Sequence, residues 1–262
     1  MKLRNLFLII VLLTTTLVQA QQNDTERRLN RWLLGFEVGT EVVIEPNFRS
    51  DKWSVRQGLG SSYFHRSSVY ISRASGFSFG IIPEFVFGNG RFSAASGLRY
   101  LSMRCTLDNN SRFGFFFLRY SENSTDTRYA RVRSISENSD FIGIPLELRW
   151  HLAHSANSQA NFHLMIGTDA YFRFNSNIDI DFVNDFMQNE QQTILDYVGI
   201  DTNDFLSRFS FGFGGSYTFA NRTAITMDML FPFYLTENNF ALITSPISNF
   251  AIQFSFQIPL SR

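Results

Sequence analysis

From Phe250 to Leu260 the chain alternates without a break. Phe250, Ile252, Phe254, Phe256, Ile258 and Leu260 share one side, and Ala251, Gln253, Ser255, Gln257 and Pro259 the other. Successive side chains of a strand point to opposite faces, so this spacing predicts a strand with one greasy and one polar face. The same period recurs upstream. Phe209, Phe211, Phe213, Tyr217 and Phe219 oppose Ser210, Gly212, Gly214, Ser216 and Thr218; Ile225, Met227, Met229, Phe231 and Phe233 oppose Thr226 and Asp228. Phe162, Leu164, Ile166, Ala170, Phe172 and Phe174 oppose His163, Gly167, Asp169 and Arg173. Ile142, Ile144, Leu146, Leu148, Trp150 and Leu152 oppose Gly143, Glu147, Arg149 and His151. Phe77, Phe79, Ile81, Phe85 and Phe87 oppose Ser78, Gly80 and Glu84, and Leu34, Phe36, Val38, Val42 and Ile44 oppose Gly35, Glu37, Gly39 and Glu41. The segment from Phe92 to Met103, with Leu98 and Tyr100 against Gly97 and Arg99, completes eight predicted strands.

A soluble sandwich also alternates. Three features favour a transmembrane barrel. The polar face carries Glu37, Glu41, Glu84, Arg99, Glu147, Arg149, Asp169, Arg173 and Asp228, which suits a lumen. The greasy face is aromatic and persists for about ten residues per strand, the length of a tilted membrane-spanning strand. Connections also alternate between short and long. Gly88-Asn89-Gly90-Arg91, Ala153 to Ala160 and Ala220-Asn221-Arg222 are short; Glu45 to Ser75, Thr106 to Asp140, Asn175 to Leu206 and Thr236 to Ser248 are long. Counting up and down from the amino terminus puts every short link at the periplasmic end, the arrangement of outer-membrane barrels. Trp32, Phe92, Trp150, Phe162 and Phe219 then ring the periplasmic rim, and Tyr100, Phe174, Phe209 and Phe233 the outer one. The fold expected is all-β: a single antiparallel eight-stranded transmembrane β-barrel with short periplasmic turns and long extracellular loops. Phe113 to Tyr120 and Arg128 to Ile135 form either a hairpin above the membrane or two further strands, which makes ten the alternative. A barrel of about eight strands is filled by its own side chains, so no wide pore is expected.

Composition sharpens this picture. The 262 residues include 30 phenylalanines, yet only 44% of the chain is hydrophobic. Aromatic surface is therefore buried somewhere without long apolar runs. Basic and acidic residues number 23 each, which removes the broad positive field of a nucleic-acid binder. The single cysteine, Cys105, supports neither a disulfide framework nor a paired-cysteine metal site, and reads as an inert small residue near the outer rim. Lys2 and Arg4, an apolar run from Leu6 to Leu13, and Val18-Gln19-Ala20 read as a signal peptide over 1–20. Residues 21–31 then form a periplasmic segment, 32–262 the barrel domain, and the outer membrane is the expected location.

The stretch Phe141-Ile142-Gly143-Ile144-Pro145-Leu146-Glu147-Leu148-Arg149-Trp150 resembles the aromatic-x-x-Ile-Pro-Leu-x-Leu-Lys/Arg-aromatic strand of the Bacteroidetes outer-membrane β-barrel family that includes PorT-like proteins. Phe92 to Tyr100 is similar to that family's third strand, and Asp204-Phe205 through Gly212-Phe213-Gly214 to its sixth. The carboxyl terminus, Leu260-Ser261-Arg262, departs from the family by not ending on an aromatic. The resemblance implies a structural or accessory barrel, with type IX secretion or gliding components as partners. It brings no catalytic residues and no cofactor.

Candidate chemistry is sparse. His151, His154 and Ser155 lie close together, but a serine nucleophile needs a histidine within hydrogen-bond reach and a third, orienting group. At a periplasmic turn they read as polar turn residues, and the chain as a non-enzyme. The lumen carboxylates form either an ion path or, as the better reading, a plug of ion pairs, with His163 a satisfied lumen residue and not a metal ligand. Arg49, Lys52, Arg56, Arg66 and Arg73, against Asp51, make the first long loop basic and a candidate for lipopolysaccharide phosphates. The third loop is acidic. Asp179, Asp181 and Asp185 lack the spacing of a calcium loop, so no metal is expected. Val183, Phe186, Met187, Ile194, Tyr197 and Val198 lie at helical spacing before Gly199, predicting a short helix that caps the barrel mouth or meets a partner.

Overall fold

The computed structural model describes residues 31–44, 47–48, 55–57, 70–88, 90–109, 114–123, 126–152, 159–199, 204–235, 244–245 and 248–260. The expected signal peptide and most of the expected periplasmic segment lie outside these residues. The strands are β1 (Arg31–Ile44), β2 (Asn47–Phe48), β3 (Val55–Gln57), β4 (Tyr70–Phe87), β5 (Phe92–Ser96), β6 (Leu98–Asn109), β7 (Phe116–Asn123), β8 (Asp126–His151), β9 (Ala160–Phe182), β10 (Phe205–Thr218), β11 (Ala224–Tyr234), β12 (Thr244–Ser245) and β13 (Ser248–Pro259). One helix, α1 (Gln191–Val198), follows a 3-10 turn over Asp185–Glu190. No helix among the described residues is long and apolar enough to cross a membrane.

The strands close on themselves. β1 pairs with β4 on one edge and with β13 on the other, and antiparallel neighbours join β4 round to β13. β5 and β6 form one wall strand interrupted at Gly97, where a Cβ would sit 2.1 Å from the Ile81 carbonyl oxygen. Counted so, the ring is an eight-stranded antiparallel barrel. Closure removes the unpaired edges that an open sheet would leave in lipid. The turn between β4 and β5 has Gly88 and Gly90 at φ of +59° and +80°, a left-handed conformation that glycine adopts without strain.

The outer wall is apolar along the lower part of every strand. Phe36, Phe79, Leu98, Leu146, Ile166, Phe213 and Phe256 all face outward and are exposed. At one end stand Trp150, Phe92 and Phe162, with Trp32 packed on Phe85; towards the other stand Phe174, Phe209 and Phe233. This greasy belt between aromatic rims is the surface of a barrel that sits in lipid.

The upper part corrects the predicted loops. Residues expected to form the second loop are largely strand, and the third begins as strand: β6 runs on to Asn109, β8 begins at Asp126 and β9 continues to Phe182. β7 pairs with the upper part of β8, so β6 and β7 against β8 make a hairpin that rises from the wall. It adds nothing to the ring, which decides between eight strands and ten. Two bulges explain why the alternation fades from view. Phe174 is an extra residue in β9, between the pairs Phe141–Arg173 and Asp140–Asn175. Arg133 is an extra residue in β8, between Val132–Phe182 and Ser134–Asp181. Each extra residue reverses which parity faces inward. Above the bulges the polarity also reverses: Val132, Ile178, Ile180 and Phe182 point in, while Arg131, Asp179 and Asp181 point out.

Candidate functional site

The lumen holds a connected set of charges in its lower half. Arg99 lies at the centre. Its Nε and Nη2 donate to the two oxygens of Glu37 at 2.6 and 2.8 Å, Nη2 also to Glu147 at 2.5 Å, and Nη1 to Asp169 at 2.7 Å. Nearer the periplasmic end, Arg149 donates to Glu84 at 2.6 Å, to Glu147 at 2.9 Å and to Asp228 at 3.2 Å. Nearer the outer end, Arg208 donates to Asp169 at 2.5 Å, to Glu41 at 2.6 Å and to the Tyr171 hydroxyl at 3.0 Å. Charges of this density survive burial only when each is paired and hydrogen-bonded.

The carboxylates Glu37, Glu41, Glu84, Glu147, Asp169 and Asp228 outnumber the three guanidiniums, and neutral donors make up part of the difference. Tyr234 donates to Glu41 at 2.7 Å, Gln257 to Glu84 at 2.5 Å, and His163 Nε2 meets Asp228 at 2.7 Å. The last contact spans β10 above Gly214, whose Cβ, were there one, would lie 1.9 Å from Asp228 Oδ1. Gly143 serves Tyr171 likewise, since a Cβ there would lie 2.3 Å from the tyrosine ring.

Above the charges the interior becomes largely apolar, with Glu137 and Ser139 the buried polar groups among it. Leu101, Met103, Cys105, Leu107, Phe116, Leu118, Val132, Ile135, Phe141, Ile180 and Leu206 form one buried cluster. The face of α1 that carries Ile194, Leu195 and Val198 packs into it. Gly199, at φ of +73°, ends the helix with its N–H on the Leu195 carbonyl at 3.1 Å. The predicted helix is therefore present over a shorter span, and it closes the upper interior. Phe186, 86% exposed, and Tyr197 remain on the outside.

Eight residues of the predicted charge set, Glu37, Glu41, Glu84, Arg99, Glu147, Arg149, Asp169 and Asp228, are brought together here. Arg173 is not placed with them. It lies further along β9, at the bulge, with its guanidinium carbon 5.3 Å from the Phe141 ring centroid. Arg208 holds the position expected for Arg173. The signal for it is in the sequence, because Arg208 shares the parity of Ser210 and Gly212, one residue before the alternation read from Phe209.

The loop candidates that the structure describes are spread over β3, β4, β9 and the 3-10 turn. Arg49, Lys52 and Arg66 lie outside the described residues, and Arg56 is on β3 opposite Phe117. Asp179 and Asp181 face outward on β9, Asp181 is bridged by Arg133 at 3.0 Å, and Asp185 opens the 3-10 turn. Among the described residues no group of three or more His, Cys, Asp or Glu is placed to hold a metal. His154 and Ser155 lie outside the described residues. His151 instead shares a hydrogen bond of 3.2 Å with Ser93, whose side chain is buried in the lumen.

No family model matches the chain, and no curated protein matches it. Among solved structures it is similar to Neisserial surface protein A, at 9% identity over 87% of this chain and 96% of that one, with a TM-score of 0.34. It is also similar to the transport unit of the autotransporter AIDA-I from Escherichia coli, at 10% identity over 95% and 97%, TM-score 0.27. The P. putida toluene transporter TodX aligns at 12% identity over 89% and 90%, TM-score 0.21. At these scores none of the three bears on what this chain does.

Proposed function

We propose that the chain is a non-enzymatic outer-membrane barrel of the PorT-like kind, an assembly or secretion accessory that acts through its rim and its outer end. The observation that carries this reading is the closure of the interior. The lower lumen is crosslinked by Arg99, Arg149 and Arg208, and the upper interior is filled and capped by α1. A barrel closed twice has its outer surfaces left to work with. The greasy belt and aromatic rims support the outer membrane as its location, and Lys2 to Ala20 supports export. The PorT-like role rests on the residues Phe141 to Trp150, and type IX secretion or gliding components are the partners it names.

The test is a mild-detergent pull-down of the tagged protein from its own outer membrane, read by mass spectrometry. Co-purification of large secretion or gliding components is the expected result, with a changed set of secreted proteins when the gene is deleted. Recovery of the barrel alone, with secretion unchanged, overturns the accessory role.

A second reading, a surface-binding barrel, is favoured by Phe186, which stands exposed beside Asp185 at the outer end. It is separated from the first by Phe186→Ser: a binder loses surface adhesion while secretion continues. An enzymatic role is disfavoured because Ser93 is 1% exposed. Lipid A of unchanged mass in a His151→Ala strain is the corresponding expectation.

A further inference from the structure

β1 and β4 part company near the outer rim. Their pairing ends at Val42–Ser75, and β4 above that point, from Tyr70 to Ala74, is paired with β6 alone among the described residues. A groove of about 390 Å³ lies there, with Val42, Arg73, Ser75, Arg104 and Thr106 in its lining. Arg73 and Arg104 are both exposed and both on the outward face. Arg73 is opposite Thr106 and Arg104 is opposite Ser75, so the two arginines are diagonal neighbours on adjacent strands. Diagonal positions stand roughly 7–8 Å apart, a gap that two guanidinium forks close around one tetrahedral anion.

Two like charges this close repel, and an anion between them relieves the repulsion. Among the described residues neither arginine has an ion-pair partner within 4.0 Å. Among the described residues of β1, β4, β6 and the part of β8 that pairs with β6, the outward carboxylates are Asp108 and Asp140. Asp140 is already occupied by Tyr100 at 2.7 Å, Ser102 at 2.8 Å and Asn175 at 2.8 Å. Asp108 stands opposite Ile71, one outward position above Thr106, and forms no bridge to Arg73.

Height decides what that anion is. Directly below the pair on the same face come Phe77 and Phe79, with Phe79 packed on Tyr100 at 4.8 Å and Tyr100 next to Phe174 at 6.2 Å. Aromatic rings mark the level where lipid gives way to water. The arginines thus sit at headgroup height, with apolar Val42 beside them and hydroxyl donors Ser75 and Thr106 between them. We infer that Arg73 and Arg104, with Ser75 and Thr106, form a clamp for a phosphate of the phosphorylated glycolipid in the outer leaflet. This rests on the outer-membrane reading above. Of the arginines expected in the first long loop it keeps Arg73, which stands on β4 in the barrel wall, and joins to it Arg104 of β6.

The probe is bisphosphorylated lipid A, offered to the full chain refolded free of lipid in mild detergent and read by native mass spectrometry. Arg73→Gln and Arg104→Gln should each weaken retention about tenfold, and the double variant about a hundredfold, as for two charge-assisted contacts. Lipid A with both phosphates removed should bind the native chain no better than it binds the double variant. Arg133→Gln, an arginine elsewhere on the outer face, should bind as the native chain does. Equal retention by the native chain and the double variant overturns the clamp. Displacement by inorganic phosphate at matched concentration also overturns it, in favour of a site for the free anion. Fractionation and the heat-dependent gel shift of each variant test the outer-membrane reading separately. A variant that fractionates and shifts normally yet binds normally condemns the clamp alone.

Discussion

Below the level of Phe141 the barrel is held chiefly by ion pairs; above it, where Glu137 is the one buried carboxylate among the described residues, chiefly by apolar contacts. Both fill the same kind of space, the inside of a closed sheet, with opposite chemistry. The reason is what lies outside. In the lower half the outward face must be greasy to meet lipid, and strand alternation leaves the inward face for polar groups, which must then satisfy one another. In the upper half the wall meets water, so Arg131, Asp179 and Asp181 face out, and Val132, Ile178 and Ile180 are free to pack inside. The solvent of the outer face dictates the chemistry of the inner one. Tyr171 lies where the two regimes meet: its hydroxyl accepts from Arg208, and its ring is part of the apolar cluster.

The regimes should fail differently. The largest loss is expected from Arg99→Ala, which leaves Glu37, Glu147 and Asp169 facing one another in a buried site. Removing one member of a buried charge set costs about 3–5 kcal/mol. Because strands from all round the ring share this network, the whole barrel should unfold at lower urea concentration in detergent. Arg99→Lys keeps the charge but not the fork that reaches three carboxylates, and should recover only part of the loss. An unfolding midpoint unchanged in Arg99→Ala contradicts the picture of a lumen held by this network.

The upper half should loosen without taking the lower half with it. Ile194 is fully buried, and α1 packs on the interior from above. Ile194→Ala should cost about 2–4 kcal/mol of local stability. Faster amide exchange is expected across α1 and the end of β9, with protection in β1 and β13 unchanged. Exchange that rises equally in β1 would mean that the two halves are one cooperative unit.

How much of this division could be read from the sequence depends on the same chemistry. In the lower strands lipid enforces a greasy outward face, so period two is plain, and Glu37, Arg99 and Asp169 fall on the lumen side by parity alone. Parity does not say which charges meet, since that depends on register across strands far apart in the chain. Parity alone therefore puts Arg173 in the network, and the alternation read from Phe209 leaves out Arg208. In the upper strands the polarity inverts and the bulges at Phe174 and Arg133 shift the phase, so extended strand reads as loop. The helix was legible because Gly199 and the spacing of Ile194, Tyr197 and Val198 are local signals.

Gly214→Ala probes the lower regime by shape and not by charge. The added Cβ would press on Asp228 Oδ1 at 1.9 Å and on His163 Nε2 at 2.7 Å, separating a buried pair. The Cβ would also meet the Met227 carbonyl oxygen at 2.6 Å, so the strand must shift as well as the side chains, and overpacking of this kind costs about 1–3 kcal/mol. The check is again the urea midpoint. Adding Asp228→Asn should leave the double variant less destabilised than the two single losses summed, because the pair is broken once. Simple additivity would separate Gly214 from the pair it is said to accommodate.

The smallest effect is expected from Arg133→Gln, the sharpest contrast with Arg99 because the chemistry is the same and only the surroundings differ. Arg133 donates to Asp181 at 3.0 Å, but the two side chains are 52% and 49% exposed. Water and salt screen such a pair, and holding both long side chains in place costs entropy, so it contributes about 0–1 kcal/mol. Arg133 also reaches the carbonyl oxygens of Phe182 and Val183 at 3.2 and 3.4 Å, contacts at the long end of the hydrogen-bond range. The bulge itself should persist, because it is fixed by the strand register and not by this side chain. The urea midpoint and the exchange pattern of β8 and β9 should therefore match those of the native chain, with any small loss vanishing at high salt. If Arg133→Gln instead weakens the barrel as much as Arg99→Ala does, burial is not what makes the lower ion pairs matter, and the distinction between the two halves collapses.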